Sequence, residues 1–219
     1  MRVVTLATSK GGSGKSTLTA SLAVAAAEAG RAVVVLDADP QRSLARWHQR
    51  RATGDHAFVV ACRAFDATGP DPVGSLVVAL ESIAADVPGA LVLIDTPGHR
   101  SNVTDRAMQL GDLVLLPVRP GIMDYDPVQE TARDLTEAGK AFAFCLTQVQ
   151  AVRAAVVEEA VTELAPCGPL WPDLIGLRAD FADAMIVGQG ATEYRPKGQA
   201  ADEVRRLWDW ISERLERVK

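Results

Sequence analysis

A glycine-rich loop between an apolar run and an alanine-rich helical pattern constrains this chain most. The loop reads Lys10-Gly11-Gly12-Ser13-Gly14-Lys15-Ser16-Thr17, after Val3, Val4, Leu6 and Ala7 and before a helical pattern reaching Ala29. Strand, glycine loop and helix in that order make a cradle for phosphates. Glycines let successive backbone N–H groups turn inward and come close to phosphate oxygens. The helix that starts near Lys15 directs its positive dipole end at the same point. Lys15 is placed to reach the β- and γ-phosphates, and the Ser16 hydroxyl to ligate Mg²⁺. The strict motif needs a glycine at position 9, where this chain has Ser9, and an extra lysine, Lys10, stands at the loop's front edge.

Alternation governs the rest of the chain. Strand-like runs fall at 3–7, 32–36, 58–62, 90–94, 113–117, 141–146 and 174–177. Helical patterns fall at 16–29, 41–52, 73–86, 101–110, 126–138, 151–164 and 200–217. The strands are almost continuously apolar, which indicates burial on both faces of a parallel sheet. The expected fold is therefore α/β: a three-layer, doubly wound, mostly parallel sheet of about seven strands. No linker or repeat interrupts it, so 1–219 reads as one P-loop domain. Gly30 and Gly139 follow their helices as C-terminal caps.

Ligands in such a sheet sit beyond the carboxyl ends of the strands. The second strand ends in Asp37-Ala38-Asp39-Pro40-Gln41, and the fourth in Asp95-Thr96-Pro97-Gly98. An apolar strand ending in Asp95 reads as a Walker B strand whose carboxylate holds Mg²⁺ directly or through water. Asp37 is a candidate for the metal's outer shell, and Asp39 for orienting an attacking water. Each of these aspartates could instead be a turn or helix cap. The sequence Asp95-Thr96-Pro97-Gly98 also fits a GTPase element. However, the chain lacks the Asn-Lys-x-Asp tetrapeptide that reads guanine, so ATP is the expected nucleotide.

Composition removes several classes. A net charge of −5 gives no overall basic footprint for nucleic acid. The three cysteines form no C-x-x-C pair, and the three histidines show no metal-ligand spacing. Cys145 lies in an apolar run and reads as core. No apolar run approaches the roughly 20 residues that span a bilayer. The chain enters a strand directly, with no signal peptide, so a cytoplasmic location is expected.

Lys10 to Thr17, Asp37 to Gln41 and the Asp95 strand together resemble the deviant Walker A ATPases of the ParA/MinD superfamily, above all the small ParF-like type. The resemblance extends to Leu115–Tyr125, a proline-rich element, and to Arg178–Glu193. It implies ATP and Mg²⁺ as cofactors. It also implies a homodimer in the ATP-bound state, with Lys10 reaching across to the other subunit's phosphates. ATP carries about four negative charges and Lys15 with Mg²⁺ cancels about three, so a second lysine completes the balance. Catalytic roles fall to Lys10, Lys15 and Asp39, and metal roles to Ser16, Asp37 and Asp95. Lys10, Gly11, Gly12, Ser13, Gly14, Lys15, Ser16 and Thr17 hold phosphate, while Gln148 and Arg178 lie where such proteins hold adenine. A ParB-like or other adaptor would stimulate slow hydrolysis. The dimer would bind nonspecific DNA rather than membrane, and so associate with the nucleoid. The cargo would be a plasmid or chromosome, or alternatively a protein assembly. A metabolic P-loop enzyme, such as a dethiobiotin-synthetase-like ligase, is the further alternative, but no second substrate motif accompanies the loop.

Two surfaces bear on cargo. Arg178, Arg195, Lys197, Arg205 and Arg206 could form a basic patch on the dimer. The 202–219 helix has Val204, Leu207, Trp208, Ile211, Leu215 and Val218 in a stripe. That stripe fits packing on the sheet, while a membrane or a partner is the alternative.

Overall fold

The computed structural model describes residues 1–8, 10–65, 69–150 and 154–217. Ser9, the start of the expected 151–164 helix, Val218 and Lys219 lie outside the described residues. The strands are β1 (Arg2–Leu6), β2 (Val33–Asp37), β3 (Ala61–Ala64), β4 (Leu91–Asp95), β5 (Leu113–Val118), β6 (Phe142–Val149) and β7 (Leu170–Gly176). They form one sheet in the order β3-β2-β4-β1-β5-β6-β7. Every pairing is parallel, so the expected mostly parallel sheet is parallel throughout the described strands.

The helices are α1 (Lys15–Glu28), α2 (Ser43–Arg51), α3 (Pro72–Asp86), α4 (Asn102–Leu110), α5 (Ile122–Glu137), α6 (Ala154–Leu164), α7 (Ala179–Ile186), α8 (Ala191–Tyr194) and α9 (Gln199–Arg217). Alternate strand residues separate into two faces. Val4, Leu6, Val33, Val35, Leu91 and Leu93 pack with α1, α2 and α9. Val3, Val34, Leu36, Val92 and Ile94 pack with α3 and α4. Both faces are therefore covered, as continuously apolar parallel strands require.

Helix α1 has no apolar stripe because it needs none. Leu18 to Ala26 are all buried, and small alanines let the surrounding elements close on every side. The stripe of α9, from Val204 to Leu215, is buried in the same core. This is the packing expected of a terminal helix, and Trp208 is 3% exposed. Among the described residues, no helix is long and apolar enough to cross a membrane.

Four expectations shift. The third strand lies at 61–64 rather than 58–62, because Arg63 at the sheet edge pairs with Asp86 and Ser82 of α3. The last strand begins at Leu170, four residues early, despite Pro172. That proline sits on an edge strand, where a missing N–H is tolerated. Helix α5 starts at Ile122, with Pro127 inside it at the loss of one backbone bond. Helices α7 and α8 are too short to show a period and occupy a stretch read without elements.

Candidate functional site

The carboxyl ends of β1, β2 and β4 converge on the glycine loop. Register places Leu6 beside Asp95 and Asp37 beside Asp95, so both aspartates reach the sheet end together. Gly12 and Gly14 adopt φ 83° and 78°, left-handed values open to glycine at little cost, and these turn the loop into the start of α1. Gly98 must also stay small: a Cβ there would stand 3.1 Å from the Gly11 Cα.

Lys15, Ser16 and Asp95 come together at the centre. Lys15 is 7% exposed, and its Nζ lies 3.9 Å from Asp95 Oδ1. Ser16 Oγ donates to Asp95 Oδ2 at 2.6 Å. Burial pushes the Asp95 carboxyl up to about 7, and the neighbouring Asp37 and Asp39 charges add to this. Lys15 and the Ser16 hydroxyl pull the other way without cancelling it. A fully buried carboxylate so disfavoured as an anion is a site for a cation. Ser13 Oγ is buried with no hydrogen-bond partner among the described residues. Ser16 and Asp95 are thus the oxygens fit to hold Mg²⁺, and the loop's N–H groups and Ser13 are fit to hold phosphate oxygens.

Asp37 is engaged by backbone donors of its own chain. Its Oδ2 accepts from Ala45 N at 2.9 Å and its Oδ1 from Asp39 N at 3.2 Å. The carboxylate therefore caps the first turn of α2 and ties that helix to the loop, as the turn-or-cap reading allowed. Burial raises its pKa despite these bonds. Asp39 is half-buried, accepts from Gln41 N at 2.9 Å, and lines a groove of about 810 Å³ that runs along Gly11 to Thr17.

Lys10 points elsewhere. Its Nζ lies 2.8 Å from Asp124 Oδ1, at the start of α5, while Asp124 Oδ2 also meets Arg119 Nε at 3.3 Å. The lysine expected to reach another subunit is here tethered to a carboxylate of its own chain, half exposed at 50%. The sequence marks Asp124 as an acid beyond the end of the fifth strand but gives it no role. Its signal was an acidic residue in the proline-rich stretch after β5.

On the other side of the loop, Gln148 and Arg178 border a cavity of about 160 Å³ with Ser13, Gly14, Thr17 and Phe181. Gln148 adopts φ 55° and donates from Nε2 to Gly12 O at 2.7 Å. A non-glycine residue held there marks a site where position outweighs strain. Thr147, likewise given no role by the sequence, donates to Ser13 O at 3.0 Å. Arg178 is held by Glu203, its Nε donating to Oε1 at 3.0 Å.

The supposed basic patch is largely neutralised. Arg178 pairs with Glu203, Arg195 with Asp180, Arg205 with Glu28 and Arg206 with Asp173. Of the five cations, Lys197 alone has no acidic partner among the described residues.

Comparison with known proteins agrees with the geometry. A family profile described as the CobQ/CobB/MinD/ParA nucleotide binding domain matches residues 4–191. Protein ParA of Rhizobium radiobacter is 37% identical over 124 residues, 57% of this chain and 51% of that protein. The chain thus spans about half the length of that relative. The maintenance of carboxysome distribution protein A of Gloeobacter kilaueensis is 30% identical over 220 residues, 99% of this chain and 94% of that protein. The septum site-determining protein MinD of Pyrococcus horikoshii, solved with Mg-ADP, superposes with a TM-score of 0.74 at 20% identity, covering 97% of this chain and 96% of that one. ParA/MinD family members are ATPases. With the matched profile covering most of the chain around this site, the protein belongs to the CobQ/CobB/MinD/ParA family of nucleotide-binding domains.

Proposed function

We propose that residues 1–219 form a single ATPase domain that acts as a positioning switch: it binds ATP with Mg²⁺, pairs with a second copy, and separates after slow hydrolysis. The observation that carries this reading is the convergence of buried Lys15 and Ser16 on Asp95 at the head of the phosphate groove. When bound, Mg²⁺ neutralises phosphate charge; Ser16 and Asp95 would hold it, with Asp37 behind them through water. Lys15 and the loop amides hold the phosphates. Asp39, at the groove wall, orients the attacking water. The cavity edged by Gln148 and Arg178 receives adenine. Lys10 leaves Asp124 when a second copy docks and completes that copy's phosphate site.

The cargo is DNA in the first reading, with nonspecific DNA as the surface on which the dimer acts and an adaptor protein as the trigger of hydrolysis. This places the protein in the cytoplasm at the nucleoid. The relative matched across nearly the whole chain is named for carboxysome distribution, which favours a protein assembly as the second reading. ATP-dependent dimerisation, followed by light scattering with and without DNA, tests the switch. Wild type should dimerise with Mg-ATP and not with Mg-ADP, and Lys15→Ala should not dimerise with either. A monomer under every nucleotide would refute the proposal.

A further inference from the structure

The five cations first assigned to a DNA surface are mostly engaged with their own chain's carboxylates. A different group is not. Arg42, Arg46 and Arg50 recur every fourth residue at the start of and along α2, and all three are exposed. Arg46 N donates to Arg42 O at 3.1 Å, so Arg42 lies one turn below Arg46. Arg42 and Arg46 carry no ion pair among the described residues, and Arg50 donates only to the Met185 carbonyl, at 3.2 Å. Helix α2 contains no acidic residue. Leu44, Trp47 and Arg51 face the core on its other side.

Stability does not explain this stripe. Cations near a helix C-terminus complement the dipole, but Arg42 and Arg46 stand at the N-terminal end, where they oppose it. Arg42 is also held at φ 53°, a left-handed conformation uncommon for arginine. Unfavourable charge and strain kept together at one exposed edge point to an anion as the missing partner. The stripe adjoins the phosphate loop: Arg46 and Arg50 wall the same groove as Gly11 to Thr17, in which Asp39 is the facing carboxylate.

We propose that Arg42, Arg46 and Arg50 are the contacts this protein makes with the phosphate backbone of DNA. The proposal rests on the DNA reading given above. At about 1.5 Å rise per residue the three span about 12 Å, matching three to four phosphates of one strand at about 3.4 Å each. The stripe walls a groove, and Trp47 is turned inward, so the apolar and aromatic side that a lipid surface takes is missing from α2. The stripe also begins in the loop whose Asp37 and Asp39 border the nucleotide site. Occupancy of that site can therefore set the position of the arginines, giving nucleotide-dependent DNA binding despite a net charge of −5.

The test is fluorescence anisotropy of a random-sequence labelled duplex with the full chain and Mg-ATP, at several NaCl concentrations. Arg42→Ala/Arg46→Ala removes four contacts from a two-subunit complex. At about 0.9 per phosphate contact, the log–log salt slope should become shallower by about 3.6. Because Arg46 walls the nucleotide groove, Mg-ATP is kept saturating for every variant; the thermal melt should stay as in wild type, since neither side chain has an ion pair among the described residues. Arg205→Ala/Arg206→Ala should keep the wild-type slope. If wild type binds DNA and Arg42→Ala/Arg46→Ala leaves the slope unchanged, the assignment to α2 is overturned while the DNA reading stands. If wild type itself does not bind the duplex at low salt, the DNA reading fails and this assignment with it. Loss of anionic-vesicle binding in the same double variant, with DNA binding intact, also overturns the assignment.

Discussion

Removing Arg51 should damage this protein more than removing the glutamate it pairs with. Arg51 closes α2, and both its side chain and that of Glu193 are 5% exposed. The guanidinium meets the carboxylate in a fork, Nη1 to Oε2 at 2.6 Å and Nη2 to Oε1 at 2.7 Å. It also donates to the carbonyls of Gly188 and Phe58 and lies 5.6 Å from the Trp47 ring. Arg51→Met strands a buried carboxylate and two carbonyls, a loss of about 3–5 kcal/mol. Glu193→Gln keeps an acceptor for the guanidinium and leaves both carbonyls bonded, so about 1.5–3 kcal/mol is expected. For 219 residues at about 2.1 cal/mol/K each, the unfolding entropy is about 0.46 kcal/mol/K. Arg51→Met should therefore lower Tm by about 7–11 °C and Glu193→Gln by about 3–7 °C. Urea melts of both single variants and the double variant give the coupling energy, expected above about 2 kcal/mol. Additivity within about 0.5 kcal/mol, or a smaller loss in Arg51→Met than in Glu193→Gln, would refute the reasoning.

Other outcomes follow from the same structure. Gly188→Ala should destabilise by more than about 2 kcal/mol in a thermal melt, since φ is 73° and a Cβ there would lie 2.3 Å from Arg51 N. Lys10→Ala should bind fluorescent ATP yet fail to dimerise by light scattering. Asp124→Asn should dimerise more readily than wild type, because it frees Lys10 from its own chain. The raised Asp95 carboxyl sets the sign of a pH effect in EDTA. The fold keeps a proton that the unfolded chain loses near pH 4, so between about pH 4 and 7 stability falls as pH rises. Compared with Asp95→Asn, wild type should lose up to about 1.4 kcal/mol per pH unit across that window; a pH-independent difference would refute the assignment.

The phosphate site was legible because its signals are local. Lys10 to Thr17 is a contiguous string, and Asp37 and Asp95 end apolar runs whose burial is plain from their residues. Parallel order followed from the same runs. Long-range pairings left no such trace. Nothing around Asp124 reveals that Lys10 sits 2.8 Å away, and Arg51 with Glu193 are 142 positions apart. The basic patch was misread for the same reason: the carboxylates that neutralise Arg205 and Arg206 lie on α1 and β7, far along the chain. Helices α7 and α8 are shorter than the window in which a helical period can be recognised.

Helix α1 carries a last consequence. Enclosed from Leu18 to Ala26, it cannot tilt or slide without disturbing the sheet and α9 together. The floor of the phosphate groove is therefore the part of the site least free to move. On the switch reading proposed above, a response to nucleotide falls to the rim: the Asp37–Arg42 turn, the Gly98 turn and the Lys10 tether. A crosslink between α1 and α9 should leave the cycle running, and one that clamps the Asp37–Arg42 turn should stall it.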